Sequence, residues 1–218
     1  MRGTNKYIMP HRRKREGKTD YKVRLKLLKS RKPRMVVRKS LSNIICQIVK
    51  YETKGDKVIV SADSKELKNF GWKFHCGNTP AAYLTGYLCA ERAKRHKVNE
   101  AVLDIGLYMT TTGNRLFSAL KGAVDGGLEI PHSDEILPPQ ERFTGKHIAD
   151  YSEKLKSENP GKYKRIFSSY LKNKTDPKEI PAVFEETKKK IAETKGEAAK
   201  RAHKNAQKTA AAHHHESK

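Results

Sequence analysis

Positive charge divides this chain of 218 residues into three parts. Residues 1–40 contain 16 lysines and arginines against two acidic residues, residues 41–150 contain 14 against 13, and residues 151–218 contain 17 against nine. The net charges of the three parts are therefore +14, +1 and +8, within a total of +23. Because like charges at this density repel each other unless a polyanion neutralises them, we expect the ends to bind an anionic partner and the middle to fold.

The distribution of apolar residues argues against a membrane protein. No apolar run approaches the roughly 18 residues of a membrane-spanning helix, and the N-terminal residues lack the apolar stretch of a secretory signal. We therefore expect a cytoplasmic protein with no membrane partner. The three cysteines, Cys46, Cys76 and Cys89, are odd in number and widely spaced. This pattern predicts neither a disulfide framework nor a structural zinc site.

The nearly neutral middle of the chain has the pattern of an α/β domain. Short runs rich in β-branched residues predict three strands, at residues 35–37, 44–49 and 58–60. Thr79, as the N-cap, and Pro80 predict the start of a helix that continues to about residue 97. Residues 101–105 then read as a buried strand, and a second helix is predicted to be capped by Asn114 and to end at Gly126. This order predicts an α/β fold with a compact mixed β-sheet and two packing helices.

The chain is predicted to have three segments. They are a basic RNA-binding N-terminal arm (1–33), an α/β core domain (34–130) and a basic C-terminal extension made of a loop and helices (131–218). Within the extension, apolar spacing predicts helices near residues 148–155 and 163–171, and a last helix at residues 181–190. The tail after Gly196 is rich in Ala and Lys, which is compatible with a helix or with disorder.

The composition of the arm favours RNA as the polyanion. Arginine binds phosphate through two hydrogen bonds and stacks on bases, and Tyr7 and Tyr21 offer aromatic faces to unpaired bases. A membrane-binding arm would need a continuous apolar face, which the cations of residues 22–29 interrupt. Val23, Leu25 and Leu27 alternate as in a strand, although Leu28 also permits a helix. We expect the arm to be largely disordered until it binds RNA.

Two further interpretations concern acidic residues and the single tryptophan. Asp63 and Asp104 are predicted near strand ends of one sheet, with Glu66 and Asp125 as looser candidates, so a metal-dependent nuclease is the alternative function. Trp72 either packs in the core or stacks on a base. No glycine-rich phosphate loop with its Lys and Ser/Thr is present, and neither a cofactor nor a small-molecule substrate is predicted.

Several sequence blocks in collinear order resemble one protein family. They span roughly residues 3–190 and comprise residues 22–40, Phe70-Gly-Trp72, the run NTPAAYLTG at 78–86, GAVDGG at 122–127 with IPHS at 130–133, and GKHIADY at 145–151. Together they resemble the large-subunit ribosomal protein that binds 5S rRNA, protein eighteen of the archaeal and bacterial series and protein five of the eukaryotic series. The blocks after residue 130 are similar to the archaeal and eukaryotic form, and the length favours the archaeal one.

The resemblance implies a structural function without catalysis. The protein is expected to bind 5S rRNA and to anchor it to 23S rRNA in the central protuberance, beside neighbouring large-subunit proteins. A factor that carries 5S rRNA outside the ribosome is not distinguished by sequence. The resemblance assigns RNA contacts to the arm and the adjoining sheet face, and more loosely to Lys162, Lys164 and Arg165. With Trp72, the predicted RNA-binding residues are Arg12, Arg13, Lys14, Arg15, Lys18, Tyr21, Lys22, Arg24, Lys26, Arg31, Lys32, Arg34, Arg38, Lys164 and Arg165.

Overall fold

A four-stranded mixed sheet forms the centre of the described residues, 9–193, of this computed structural model. Its strands are β1 (Arg34–Lys39), β2 (Ile44–Lys50), β3 (Lys57–Asp63) and β4 (Val102–Asp104), in the order β3-β2-β1-β4. The first three pair antiparallel, and β4 pairs with β1 in parallel. The predicted α/β fold with a mixed sheet is therefore confirmed. Strand β4 is shorter than predicted by one residue at each end, and at its start Ala101 donates its N–H to the carbonyl of Glu129.

The arm contains two helices, α1 (Arg12–Arg15) and α2 (Tyr21–Lys29). Asp20 caps α2 by accepting hydrogen bonds from the backbone N–H groups of Lys22 and Val23. The helical alternative that Leu28 allowed is thus the correct one. Disorder of the arm before it binds RNA stays a prediction. Tyr7 and the tail after Gly196 lie outside the described residues.

One face of the sheet is covered by α3 (Thr79–Arg95) and α4 (Arg115–Asp125). Both predicted helices are confirmed, and an asparagine caps each of them. Asn114 is the cap that was predicted, whereas Asn78 rather than Thr79 caps α3 by accepting from the N–H of Ala81. Met35 and Val37 of β1 are fully buried under these helices. Their alternation with residues 34, 36 and 38 leaves the latter on the other face of the sheet.

Helices α3 and α4 approach so closely that glycine is required at their contact. A β-carbon on Gly86 would overlap the backbone of Ala119, and one on Gly122 would overlap the backbone of Tyr83. Because these neighbours are backbone atoms, no side-chain rotation relieves the overlap. The two glycines therefore fix the separation of the helices that support the sheet.

The C-terminal extension packs on the same core as the sheet. Its helices are α5 (Gln140–Thr144), α6 (Lys146–Glu158), α7 (Pro160–Ile166), α8 (Ser168–Lys172) and α9 (180–193), and 3-10 helices occur at Ser64–Phe70, Asp134–Ile136 and Pro177–Glu179. Ile180, Phe184 and Ile191 of α9 are buried in the main core. The predicted helices of this region are confirmed, although the one at 163–171 is divided into α7 and α8. Within residues 9–193, no helix combines the length and the apolar character needed to cross a membrane.

Candidate nucleic-acid interface

The helices of the arm present a dense set of exposed cations. All four residues of α1 (Arg12, Arg13, Lys14 and Arg15) are exposed, and Lys22 and Lys26 are exposed on α2. The rings of His11 and Tyr21 lie 4.9 Å apart between centroids, which brings the start of α1 next to the start of α2. In the part of the chain that the structure describes, the only carboxylate within 4 Å of an α1 side chain is that of Glu16, 3.7 Å from Arg12. The other α1 cations are therefore available to phosphate groups.

Three arginines and two aspartates connect the arm to the sheet. Arg34 of β1 is 3% exposed and donates hydrogen bonds to Asp56 at 2.6 Å and to Asp104 at 2.7 Å. Arg24 of α2 donates to the second oxygen of Asp56 at 2.8 Å, and Arg38 donates to the second oxygen of Asp104 at 3.0 Å. We call these five residues the arginine–aspartate network. It fixes α2 against the turn between β2 and β3.

The protonation of Asp56 depends on this network. Partial burial alone would raise the pKa of the Asp56 carboxyl, but the hydrogen bonds from Arg24 and Arg34 outweigh it and hold the pKa below its ordinary value. Conversely, the hydrogen bond to Asp56 raises the pKa of the Arg24 guanidinium against the effect of burial. Both groups are therefore charged at neutral pH, and the contact between arm and sheet is a charged one.

A groove of about 600 Å³ separates α2 from the face of the sheet that α3 and α4 do not cover. We call it the sheet groove. Its apolar wall comes from both sides, with Val23 and Leu27 on α2 and Val36, Val49 and Val58 on the strands. The remaining lining residues include Tyr21 and Gln47, the arginine–aspartate network, and Arg13, Lys18, Thr19, Asp20 and Gly106. The arm and the sheet thus form one continuous surface.

Two of the predicted RNA-binding residues are buried. Trp72 is 2% exposed, donates its indole N–H to the carbonyl of His75 at 3.4 Å, and contacts the ring of Phe74 edge to face. The core interpretation of Trp72 is therefore correct, and its burial argues against base stacking. Arg34 does lie on the same sheet face as Arg38, but both of its terminal nitrogens are bonded to aspartates. Direct RNA contact by Arg34 stays a prediction, against which its burial and its two ion pairs argue.

The other predicted residues lie on the surface but are not all brought together. Lys32 forms an ion pair with Glu100 at 2.5 Å, and Arg38 retains 41% exposure of its side chain. Arg31 and Lys18 are exposed near the ends of α2 and α1. Lys164 and Arg165 are exposed on α7, whose opposite side is buried through Tyr163. Direct RNA contact by these residues stays a prediction.

The carboxylates of the nuclease alternative are separated from one another. Asp63 ends β3 and Asp104 ends β4, so they lie on opposite edges of the sheet, three interstrand spacings or roughly 14 Å apart. Glu66 is bonded to Arg92, and Asp125 accepts a hydrogen bond from Tyr83 and forms an ion pair with Lys121. Among residues 9–193, no three His, Cys, Asp or Glu side chains are grouped so that they could hold a metal ion.

Two functional positions were missed from the sequence. Neither Asp56 nor Gln47 was singled out from the sequence, yet the first holds the arm and the second lies in the sheet groove. Asp104 was interpreted as a metal ligand, whereas it binds two arginines. The alternation of Arg34, Val36 and Arg38 along β1 was the available signal, because two cations on one sheet face require nearby anions when that face is covered.

Comparison with known protein families assigns the chain that carries this surface to a family. The family described as "Ribosomal large subunit proteins 60S L5, and 50S L18" matches residues 5–100 and 92–133, which is more than half of the chain. The chain belongs to this family. The resemblance found in the sequence blocks is confirmed. As a ribosomal protein of the large subunit, it has a structural role in translation, with ribosomal RNA and other ribosomal proteins as its partners. The matched residues include the arm, the sheet and helices α3 and α4.

Proposed function

We propose that this ribosomal protein binds 5S rRNA and anchors it to 23S rRNA in the central protuberance of the large subunit. The observation that carries the proposal is the run of four consecutive exposed cations on α1, with a single carboxylate within 4 Å of them in the described residues. Each phosphate that such a cation neutralises releases condensed counterions, which is the main source of affinity for RNA. Membership in the large-subunit family makes ribosomal RNA the polyanion.

The surface divides into residues of different expected roles. The exposed cations of the arm neutralise phosphates, and Tyr21 and Arg38 border the sheet groove, where contacts to bases add selectivity. The exposed cations of α7 (Lys162, Lys164 and Arg165) form a second contact on the extension. Arg24 and Arg34 act indirectly, because their hydrogen bonds to Asp56 hold α2 in position.

The salt dependence of 5S rRNA binding tests the proposal. We expect the logarithm of the affinity of the full chain to fall linearly with the logarithm of the salt concentration, with a slope of several units. The triple variant Arg13→Gln, Lys14→Gln, Arg15→Gln should reduce that slope by about 2, since each phosphate contact contributes roughly 0.7–0.9. The matched control replaces Lys65, Lys68 and Lys73 by Gln, which removes the same charge from exposed positions outside the arm.

The outcomes separate the arm from a general charge effect. If both triple variants lower the salt-dependence slope of the affinity equally, net charge alone drives binding and α1 is not the site. A slope near zero for the native chain would contradict binding through phosphates altogether. Crosslinking of the protein in large subunits should recover both 5S and 23S rRNA. Recovery of 5S rRNA only from fractions without ribosomes would favour a carrier outside the ribosome.

A further inference from the structure

The sheet groove is large enough for a ligand, and residues 9–193 leave it unfilled. Its volume of about 600 Å³ lies within the roughly 300–1,000 Å³ that is typical of sites for small organic groups. One wall is helix α2 and the other is the sheet, so the arginine–aspartate network that fixes α2 also sets the width of the groove.

The charges in the groove argue against a phosphate in its interior. Both oxygens of Asp56 and both of Asp104 accept hydrogen bonds from Arg24, Arg34 or Arg38 at 2.6–3.0 Å. These arginines are thus largely neutralised by partners of the same chain. A phosphate that entered would have to displace a carboxylate and would then lie close to that negative charge. The free energy lost in this exchange exceeds the free energy gained from the new contact with arginine. Among the described residues, the groove-lining cation without a carboxylate within 4 Å is Arg13, since Lys18 is paired with Glu16 at 2.9 Å.

The remaining lining suits a flat, neutral and partly polar group. Val36, Val49 and Leu27 offer apolar contact, while Gln47 is half-buried among them. The Gln47 amide donates one hydrogen bond, to the Ser61 hydroxyl at 3.3 Å. Among the described residues, its carbonyl oxygen and second N–H have no other partner. An amide with both a donor and an acceptor available matches the edge of a nucleobase.

We propose that the sheet groove receives one unpaired nucleobase of the bound RNA. The base lies against Val36 and Val49, its polar edge meets the amide of Gln47, and its phosphate stays outside near Arg13. The proposal rests on the RNA-binding function proposed above and specifies which part of the RNA enters. Extruded, unstacked bases are the usual targets of sequence-specific RNA recognition. A segment of a neighbouring protein is a less suitable occupant, because Arg13, which has no carboxylate within 4 Å among the described residues, favours an attached phosphate.

Filling the groove without changing any charge tests the proposal. Gln47→Trp places an indole in the groove and removes the amide, whereas Ile45→Trp places the same side chain two residues away on the same strand and face. Ile45 is 38% exposed and does not line the groove. We expect Gln47→Trp to weaken the binding of 5S rRNA by about tenfold or more, the range of one lost base contact. Its salt slope should equal that of the native chain, and Ile45→Trp should bind with native affinity.

Two results would overturn the nucleobase assignment while leaving the proposed function intact. One is native affinity of Gln47→Trp for 5S rRNA, with circular dichroism showing that both tryptophan variants are folded. The other is an equal loss in Gln47→Trp and Ile45→Trp, which would assign the effect to the sheet surface rather than the groove. If the native chain itself fails to bind 5S rRNA, the proposed function fails first.

A photocrosslink identifies the occupant even if a groove-filling variant misfolds. Val58 lines the groove and is 48% exposed, so p-benzoylphenylalanine in its place reaches the contents of the groove. In large subunits that contain this protein, we expect the crosslink at the base of one nucleotide outside a helix. A crosslink to another ribosomal protein, or only to nucleotides within helices, would exclude an extruded base as the occupant.

Discussion

Arg34 and Asp104 form a buried ion pair between the two parallel strands of the sheet. The guanidinium donates to the carboxylate at 2.7 Å, and the two side chains are 3% and 9% exposed. In the parallel register Asp104 is aligned with Val36, two residues beyond Arg34, so the pair is diagonal across β1 and β4. Because β4 has three residues, this contact and the one from Arg38 stabilise an edge that backbone hydrogen bonds alone hold weakly.

Removing one partner of this pair should strongly destabilise the fold. Asp104→Ala leaves the buried Arg34 with Asp56 alone and removes the one carboxylate that accepts from Arg38, so we expect a loss of about 3 kcal/mol in the free energy of unfolding. Urea unfolding followed by circular dichroism measures it. The control is Asp134→Ala, whose side chain is 99% exposed and which should change stability by less than about 0.5 kcal/mol. Equal urea concentrations at the unfolding midpoints of the two variants would contradict a structural role for Asp104.

The contact of α3 with α4 predicts opposite effects of alanine at two helical glycines. Gly86→Ala places a β-carbon on the backbone of Ala119, so we expect a loss of about 3 kcal/mol, at the upper end of overpacking costs. Gly161→Ala lies on α7, where the nearest atom is 3.6 Å from the added carbon, and should stabilise by about 0.5–1 kcal/mol through helix propensity. Thermal unfolding of both variants checks the signs. A neutral Gly86→Ala would mean that the helices can separate.

The elements of the core could be predicted because local sequence and burial agree there. Residues close together in sequence suffice to predict these elements. The examples are the β-branched strands, the Asn114 cap and the apolar faces of α4 and α9. Helix α3 was predicted with the wrong cap, since Thr79 and Asn78 are both good capping residues and the choice depends on backbone geometry. The N-terminal arm was harder, because the residues that hold α2 against the sheet, Asp56 above all, are distant in sequence.

The candidate interface was predicted as a set of cations but not as a surface. Charge density identifies Arg12 to Arg15 correctly as exposed, since no fold buries four adjacent cations without partners. It cannot separate Arg38, which is partly exposed, from Arg34, which is buried, because both occur on the same strand face. Only the positions of Asp56 and Asp104 decide that difference, and these depend on strand pairing.

The burial of Trp72 predicts how its fluorescence behaves. As the single tryptophan of the chain, it reports on one environment, and at 2% exposure it should show a blue-shifted emission that acrylamide quenches poorly. Binding of 5S rRNA should leave the emission maximum unchanged, while denaturation should shift it to the red. A strong quenching by RNA in the folded protein would show that a base reaches the indole and would restore the stacking interpretation.

The packing of α9 predicts that the extension and the sheet unfold together. Phe184 is 1% exposed and contacts the rings of Tyr83 and Phe143, so Phe184→Ala should lower the free energy of unfolding by about 3–5 kcal/mol. Glu186→Ala on the exposed side of the same helix is the control and should cost less than about 0.5 kcal/mol. A single denaturation transition, shifted as a whole in Phe184→Ala, is expected. Two separate transitions would mean that residues 131–193 fold as a separate unit.

The ion pairs of Asp56 predict a specific dependence of stability on pH. Since its pKa is lower in the folded chain than the ordinary value of about 3.9, Asp56 contributes stability that is present above that value and is lost as the pH falls below it. Asp56→Asn should therefore lose about 1–2 kcal/mol at pH 7 and less at pH 3, as measured by urea unfolding across this range. Glu135→Gln, which removes an exposed carboxyl outside the network, should leave the difference from the native chain near zero throughout. If the curves of Asp56→Asn and the native chain run parallel from pH 7 to pH 3, Asp56 does not hold the arm through its charge.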